Sequence, residues 1–414
     1  MIRKDGFRSW GVIVLVGLAL TIAHSDRVLL AIAAPHLIEQ QHITGTGLGL
    51  LLSAFSWTYM VAQLPSGWLV DRFGPKRVLT IGFIGWSLVS AMTGLSTVFS
   101  VLLLCRMLLG VFEAPLYAVA HAVMASLFTD RRRALATAIY SKGVSLGPAI
   151  GTAAGSYVMM AYGWSEMFVI VGLGSLLFLI PWIAFAPSRQ ALAPSSQESR
   201  KIDWSEARKL LMNRSVLGVS VGYFGFLYLY YIYATWLPTY LSKERGLDTE
   251  QIAWMATVPF LISMAAGPVT GWFTDWLIGR GMSQTVVRKC AIGLGLLLGG
   301  AIVPAAFATD GYEAAVLFVI ALVGQSISAA NMLALPSAIA PEGRAGLVGS
   351  FQQMFGAAGG VVSPLLTGIL YDQGHDFKAA ILCAAAMLVL SGFCFLILLQ
   401  RVERIASPDL AEPA

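Results

Sequence analysis

Residues 53–78 read SAFSWTYMVAQLPSGWLVDRFGPKRV, and this stretch decides the fold. Its first part, residues 53–70, carries no charged side chain, and Asp71 and Arg72 end the apolar run. A helix needs about 20 such residues to cross the hydrocarbon core of a bilayer, which is about 30 Å thick. The stretch therefore predicts a membrane-spanning helix that is followed by a short basic loop.

The composition extends this prediction to the whole chain of 414 residues. Hydrophobic residues make up 57% of the sequence and charged residues only 12%, about half the share found in soluble globular proteins. So few charges cannot cover a water-soluble surface, and so many apolar residues exclude a disordered chain. We therefore expect an all-α membrane protein with many spans.

Twelve apolar runs can be counted, and the polar interval of residues 188–213 divides them six and six. The predicted organisation is an N-terminal six-helix lobe over 1–187, a cytoplasmic linker over 188–213, a C-terminal six-helix lobe over 214–400 and a cytoplasmic tail over 401–414. The predicted spans lie near residues 10–35, 46–70, 78–97, 99–127, 134–161, 166–186, 214–240, 251–278, 289–307, 313–338, 346–370 and 378–400.

Basic residues lie mainly on one side of this arrangement. Of the 27 Lys and Arg residues, 21 belong to the two tails and to alternate loops on one side, whereas Lys243, Arg245 and Lys378 belong to the other. Cytoplasmic loops of membrane proteins carry such an excess, so both termini are predicted to lie in the cytoplasm. The same asymmetry accounts for the net charge of +5 without a nucleic-acid partner.

The two halves of the sequence repeat each other. Residues 66–71 (SGWLVD) end the second span, and residues 270–275 (TGWFTD) end the eighth. Residues 133–134 and 344–345 are both Arg-Ala and open the fifth and eleventh spans. Six plus six spans with matching motifs predict a two-lobed transporter whose substrate site lies near the membrane midplane, between the lobes.

At these motifs the chain resembles the major facilitator superfamily, since residues 67–77 (GWLVDRFGPKR) match its loop 2–3 motif. Arg106 and Gly110 match a second motif of that family. The resemblance implies twelve helices in two pseudo-symmetric lobes. Within the superfamily, several strings of the chain resemble one branch in particular, the anion:cation symporters. This branch includes hexuronate, aldonate and phthalate carriers and the vesicular glutamate carriers. The strings that resemble this branch are SDR at 25–27, residues 53–74, LLGVFEAP at 108–115 and TWLPTYL at 235–241.

Five charged residues lie well inside the predicted spans, namely Asp26, Arg27, Arg106, Glu113 and Lys142. Each costs about 2.5–3.5 kcal/mol or more at the centre of a membrane helix, so such groups normally face a partner or a wet cavity. Asp26 can pair with Arg106, and Arg27 can pair with Glu113. The alternative is that these pairs only fix the register of the helices.

The resemblance to the symporter branch implies a role for each residue of this set. It implies that Arg27 binds a substrate carboxylate, that Tyr59 lines the site, and that Asp26 and Glu113 bind and release protons beside Arg106. An arginine suits the first role, because its planar fork of donors stays charged and matches a carboxylate.

Four further residues are predicted to contribute to the substrate site. Lys142 and Gln353 occupy equivalent positions in the two repeats; Lys142 is either a second anion ligand or a lysine that reaches back to the cytoplasmic interface. His24 is a ligand, an extra proton site or a neutral hydrogen-bonded histidine. Tyr231 lies seven residues before Pro238, where the helix is expected to bend.

A separate group at the cytoplasmic ends of the spans is predicted to act in conformational gating. The group consists of Gly67, Asp71, Arg72, Asp275 and Arg280. The charged members are expected to contact neighbouring helix ends.

The sequence as a whole predicts proton-coupled symport of a small organic anion, a carboxylate, by a monomeric carrier of the cell inner membrane. No cofactor, metal site or enzymatic motif is expected. The main alternative is a proton-driven exporter, because residues 143–151 (GVSLGPAIG) resemble a motif of superfamily antiporters. Close helix packing is the simpler interpretation of those glycines. A membrane sensor built on a transporter fold is the second alternative.

Overall fold

The computed structural model describes residues 6–128, 130–186, 204–308, 310–341 and 344–405. The regular elements in these ranges are helices. Most of the predicted linker and the end of the predicted tail lie outside the described residues.

The chain forms two compact units. The first unit comprises Met1–Glu198 together with Ala234–Thr257, and the second comprises Ser199–Tyr233 together with Val258–Ala414. Residues 234–257 group by contacts with the first unit, although they follow the predicted linker in the sequence. The lobe boundaries given above stay a prediction.

The helices of the N-terminal half are α1 (Phe7–Gln41), α2 (Gly45–Phe73), α3 (Pro75–Gly94), α4 (Phe99–Glu113), α5 (Pro115–Leu127), α6 (Asp130–Tyr162), α7 (Trp164–Ser175) and α8 (Leu179–Phe185), with a 3₁₀ turn over Leu176–Phe178. Those that follow are α9 (Trp204–Leu211), α10 (Arg214–Lys243), α11 (Thr249–Gly279), α12 (Gln284–Gly299), α13 (Ile302–Phe307), α14 (Gly311–Met332), α15 (Leu335–Ile339), α16 (Ala345–Gly374) and α17 (Lys378–Phe393), with a π-helical end over Cys394–Leu398. The short α9 is the only helix of the predicted linker among the described residues.

Within the described residues, ten helical stretches are long and apolar enough to cross a bilayer, and the bent helix α2 makes an eleventh. The helix α6 is the remaining predicted span. Its 33 residues are long enough to cross the membrane, but glycines and the charges near its start lower its apolarity. The predicted fold class, an all-α membrane protein with about twelve spans, is confirmed.

Small residues let α6 pack closely along α1 in the first unit. An added Cβ at Gly143 would meet the backbone of Gly17, and one at Gly147 would meet His24. The hydroxyl of Ser25 donates a 2.8 Å hydrogen bond to the carbonyl oxygen of Gly147. Glycines permit this close approach in membrane helices, so the motif at residues 143–151 has a packing role here.

We expect Gly151→Ala to lower the melting temperature of the purified protein. The added Cβ would lie 2.6 Å from the Cα of Ser25 and 2.7 Å from its carbonyl oxygen, and backbone atoms cannot turn aside. Such overpacking costs about 1–3 kcal/mol. Gly174→Ala is the matched control, because nothing lies within 4 Å of a Cβ at Gly174. Thermal unfolding in detergent measures both variants, and equal melting temperatures would contradict the expectation.

In each half of the chain, a lysine side chain forms a hydrogen bond to a backbone carbonyl near the end of another helix. The Nζ of Lys76, near the start of α3, lies 2.5 Å from the carbonyl oxygen of Ile183 in α8. The Nζ of Lys289, near the start of α12, donates to the carbonyl oxygen of Leu396 at 3.0 Å. A cation at the carbonyl end of a helix is favourable. The two halves that repeat in sequence therefore also repeat this contact. Each contact lies within one unit.

Candidate functional site

A buried ion pair between α1 and α4 forms the centre of the candidate site. The Nε of Arg27 lies 2.8 Å from the Oε2 of Glu113, within charge-assisted hydrogen-bond distance. The Glu113 side chain is fully buried, whereas the Arg27 side chain is 21% exposed. The predicted Arg27–Glu113 contact is therefore present, and the cation is its accessible partner.

The position of Glu113 follows from the local sequence. It is the last residue of α4, and Pro115 begins α5 after a single intervening residue. A proline has no N–H to continue the hydrogen bonds of the preceding helix, so it tends to break the helix. Glu113 consequently lies at the junction of two helices, with its carboxylate directed at Arg27.

Two aromatic rings of α2 hold the guanidinium of Arg27. Its Cζ lies 4.6 Å from the ring centroid of Phe55 and 4.8 Å from that of Tyr59. The two rings are themselves stacked, with centroids 5.1 Å apart. Such cation–π contacts contribute most where the cation is desolvated. The structure thus places Tyr59 against Arg27, and its role in lining a substrate site stays a prediction.

His24 lies one turn before Arg27 and is buried. Its Nδ1 is 2.9 Å from the carbonyl oxygen of Leu20, and its Nε2 is 3.5 Å from Nη1 of Arg27. A guanidinium has no acceptor atom, so Nε2 accepts and the network assigns the proton to Nδ1. Of the three predicted alternatives, this geometry matches the neutral hydrogen-bonded histidine, here with Arg27 as its neighbour.

Asp26 makes a different contact from the predicted one. Its Oδ1 accepts a 2.9 Å hydrogen bond from the hydroxyl of Ser90 on α3, and both residues are buried. Adjacent helical positions point about 100° apart, so Asp26 faces α3 while Arg27 faces α4. Among the described residues Asp26 forms no ion pair with Arg106, and the expectation of that pair was wrong. The sequence contains no signal that singles out Ser90.

Arg106 is buried near the same cluster without an ion-pair partner among the described residues. Its guanidinium lies 5.7 Å from the ring centroid of Phe55. Three buried polar atoms of the cluster have no hydrogen-bond partner within the described chain, namely Oδ2 of Asp26, Nε of Arg106 and Oε1 of Glu113. Buried polar groups are normally paired, so these atoms leave capacity for a proton or for a new partner.

Lys142 does not join this cluster. It is exposed on α6, next to Gly143, which packs against Gly17 and Leu20 of α1. These two residues precede Arg27 by two to three helical turns, a rise of about 10–15 Å. The structure thus places Lys142 well toward the start of α1 relative to Arg27, and its role as an anion ligand stays a prediction.

The second unit brings neutral polar residues together on α10 and α16. The side chain of Tyr223 lies near the exposed side chain of Gln353. The Tyr223 ring packs on Gly356, one turn further along α16. The rings of Tyr230 and Tyr231 lie 5.8 Å apart and close to Tyr223. Gln353 and Tyr231 therefore lie in one cluster, and Tyr223 joins it although the sequence prediction preferred only Tyr231.

The predicted gating residues of the first unit are exposed. An added Cβ at Gly67 would meet nothing within 4 Å, and Asp71 is exposed one turn further on. Arg72 turns back along α2, with its guanidinium 5.1 Å from the ring centroid of Trp68. Their role in gating stays a prediction.

The predicted gating residues of the second unit, Asp275 and Arg280, each have a separate contact. Asp275 on α11 pairs with Arg288 on α12 at 3.5 Å. Arg280 instead lies over the ring of Trp276, with its Cζ 3.9 Å from the centroid. Asp275 thus contacts the start of the neighbouring helix, whereas Arg280 stacks on a ring of its own helix, and the role of both in gating stays a prediction.

The helical architecture and the charges inside its spans define a multi-pass membrane transporter. The chain belongs to the Major Facilitator Superfamily, whose family model matches residues 16–364 and 282–414. It is a transporter rather than an enzyme, and the predicted family is confirmed.

Two bacterial transporters are similar over nearly the whole chain. The D-galactonate transporter of Escherichia coli O6:H1 is 29% identical, over 97% of this chain and 98% of the relative. The "Probable galactarate/D-glucarate transporter GarP" of Escherichia coli K12 is 27% identical, over 97% of both chains. Among solved structures, a bacterial homologue of the human lysosomal transporter Spinster superposes with a TM-score of 0.81 at 16% identity, covering 96% of this chain and 98% of that one. This last likeness concerns the fold alone.

Proposed function

We propose that this chain is a proton-coupled symporter that takes up an acid sugar, a polyhydroxy carboxylate, by alternating access. One observation carries the proposal, which is the ion pair of the accessible Arg27 with the fully buried Glu113. An arginine in this position can exchange one carboxylate partner for another. The incoming carboxylate is then that of the substrate.

Coupling to protons follows from the burial of Glu113. When a substrate carboxylate takes its place at Arg27, the Glu113 carboxylate loses its hydrogen-bond partner inside the protein. An unpaired buried charge costs several kcal/mol or more, and a buried carboxyl avoids this cost by taking up a proton. The anion and the proton therefore bind together, and either one alone leaves an uncompensated charge.

The relatives narrow the proposed substrate class. The similar proteins are described as carriers of D-galactonate and of galactarate or D-glucarate, which are sugar acids with several hydroxyl groups. Amide and phenol groups such as those of Gln353, Tyr223 and Tyr231 both donate and accept hydrogen bonds, which suits hydroxyl groups. We assign the substrate carboxylate to Arg27, and Tyr231 and Gln353 stay predicted substrate residues of the second unit.

We further propose that the carrier is a monomer of the cell inner membrane with both termini in the cytoplasm. The excess of Lys and Arg in the tails and alternate loops supports this orientation. Protons that enter from an acidic outer face would then drive accumulation inside.

The proposed uptake can be measured with purified protein in liposomes. We expect labelled D-galactonate to accumulate when the outside is acidified, and an uncoupler that dissipates the proton gradient should abolish the accumulation. Unlabelled galactarate, D-glucarate and a cationic dye serve as competitors. Competition by the acids but not by the dye supports the proposal. If an inward proton gradient drives export of the dye and no acid sugar is taken up, the result would favour the exporter instead.

A further inference from the structure

The hydroxyl of Ser90 is the one polar group of α3 that contacts the charged cluster. It donates a 2.9 Å hydrogen bond to Oδ1 of Asp26. Ser90 is 3% exposed and Asp26 is 2% exposed, so the bond is shielded from water. The other carboxyl oxygen, Oδ2, has no hydrogen-bond partner among the described residues.

The neighbouring hydroxyls of α3 make contacts of another kind. Ser87, one turn earlier, is hydrogen-bonded at 2.8 Å to Ser175 on α7. Thr93, one turn later, donates back to the carbonyl oxygen of Val89 at 3.0 Å. These are packing contacts between neutral groups. Ser90 alone of the three donates to a carboxylate.

A hydroxyl that donates to a carboxylate stabilises its ionised form. The charged groups around Asp26 are Arg27 on its own helix and Arg106 and Glu113 on α4. None of them hydrogen-bonds to Asp26 within the described chain. The Ser90 hydroxyl is therefore the direct contact through which this carboxyl group is oriented and its proton affinity adjusted.

We propose that Ser90 is a positioning residue for proton transfer, which holds Asp26 against α3 and sets how readily that carboxyl group releases its proton. This inference rests on the proposed function. It gives a function to α3, which contributes no charged residue to the cluster. It also gives the two acids, Asp26 and Glu113, different roles. Glu113 exchanges partners at the substrate arginine, whereas Asp26 is held by a hydroxyl away from it.

Ser90→Ala tests the proposal, because it removes one oxygen atom and no packing volume of note. We expect substrate counterflow to stay within about twofold of the wild type, since Ser90 does not touch Arg27. Without the donor, Asp26 keeps its proton more readily. The pH of half-maximal gradient-driven uptake should therefore move about one unit toward alkaline pH, the effect of one charge-assisted hydrogen bond.

Two further variants make the test specific. Ser87→Ala removes an equivalent hydroxyl of α3 and should leave the pH profile unchanged. Ser90→Ala in the background of Asp26→Asn should add no further change, because the two residues act through one bond. Ser90→Cys keeps the shape with a weaker donor and should give a smaller displacement.

An unchanged pH profile in Ser90→Ala, with normal proton-driven uptake by the wild type, overturns the role of Ser90 and leaves the proposed function standing. Equal displacement by Ser87→Ala also overturns it, because a general packing effect would then explain both. If the wild type shows no proton-driven uptake, the proposed function fails and the role of Ser90 fails with it.

Discussion

Liposomes that contain the Glu113→Gln variant are expected to exchange labelled acid sugar across the membrane but not to accumulate it. Glutamine keeps the size of the side chain and a hydrogen-bonding oxygen, yet it has no proton to release. Arg27 then loses its internal anion, so a substrate carboxylate meets no competitor at the guanidinium. Counterflow should persist, while accumulation in response to a pH gradient should fall by at least about tenfold, because the coupled step is lost.

The measurement compares counterflow and gradient-driven uptake in the same vesicles. Glu166→Gln is the matched control, because Glu166 is an exposed acid of the first turn of α7, outside the cluster. Asp26→Asn is measured alongside to divide the coupling between the two acids. If Glu113→Gln accumulates substrate as the wild type does, Glu113 does not carry the transported proton.

The second large effect is expected at Arg27, the proposed ligand of the substrate carboxylate. Arg27→Lys keeps the positive charge but loses the planar fork that binds a carboxylate at two points. It also loses the flat contact with the rings of Phe55 and Tyr59. We expect the affinity for the acid sugar to fall roughly 10- to 100-fold, as for the loss of one or two charge-assisted hydrogen bonds.

Calorimetric titration of purified protein measures this affinity directly. Arg77→Lys, at an exposed position in the first turn of α3, serves as the control for a change of this type. Melting temperatures in detergent show that the variants are folded. Wild-type affinity in a folded Arg27→Lys protein would remove Arg27 from the binding site.

The spans and the central ion pair were predictable because both leave strong signals in the sequence. A run of some 20 uncharged, mostly apolar residues is typical of a helix that crosses a bilayer. Arg27 and Glu113 are also conspicuous, since charges are rare inside membrane helices. Their contact needs only that the end of α4 comes within reach of the Arg27 side chain.

Ser90 and the partner of Asp26 could not be predicted in the same way. Hydroxyl residues are common in membrane helices, and Ser87, Ser90 and Thr93 read alike in the sequence. Only the three-dimensional structure, in which Ser90 lies beside Asp26, selects the one that meets a carboxylate. Lys142 shows the same limit, because sequence periodicity does not give its distance along the helix bundle from Arg27.

The charges of the α1–α4 cluster have a consequence for the energy source of the carrier. Asp26 and Glu113 balance Arg27 and Arg106, so the empty cluster is neutral when both acids are ionised. A monocarboxylate that binds together with one proton leaves the net charge of the cluster unchanged. The membrane potential, which acts on each net charge with about 2.3 kcal/mol per 100 mV, then does no work on the loaded carrier. The pH difference alone drives such uptake, whereas a second proton on Asp26 adds the electrical force.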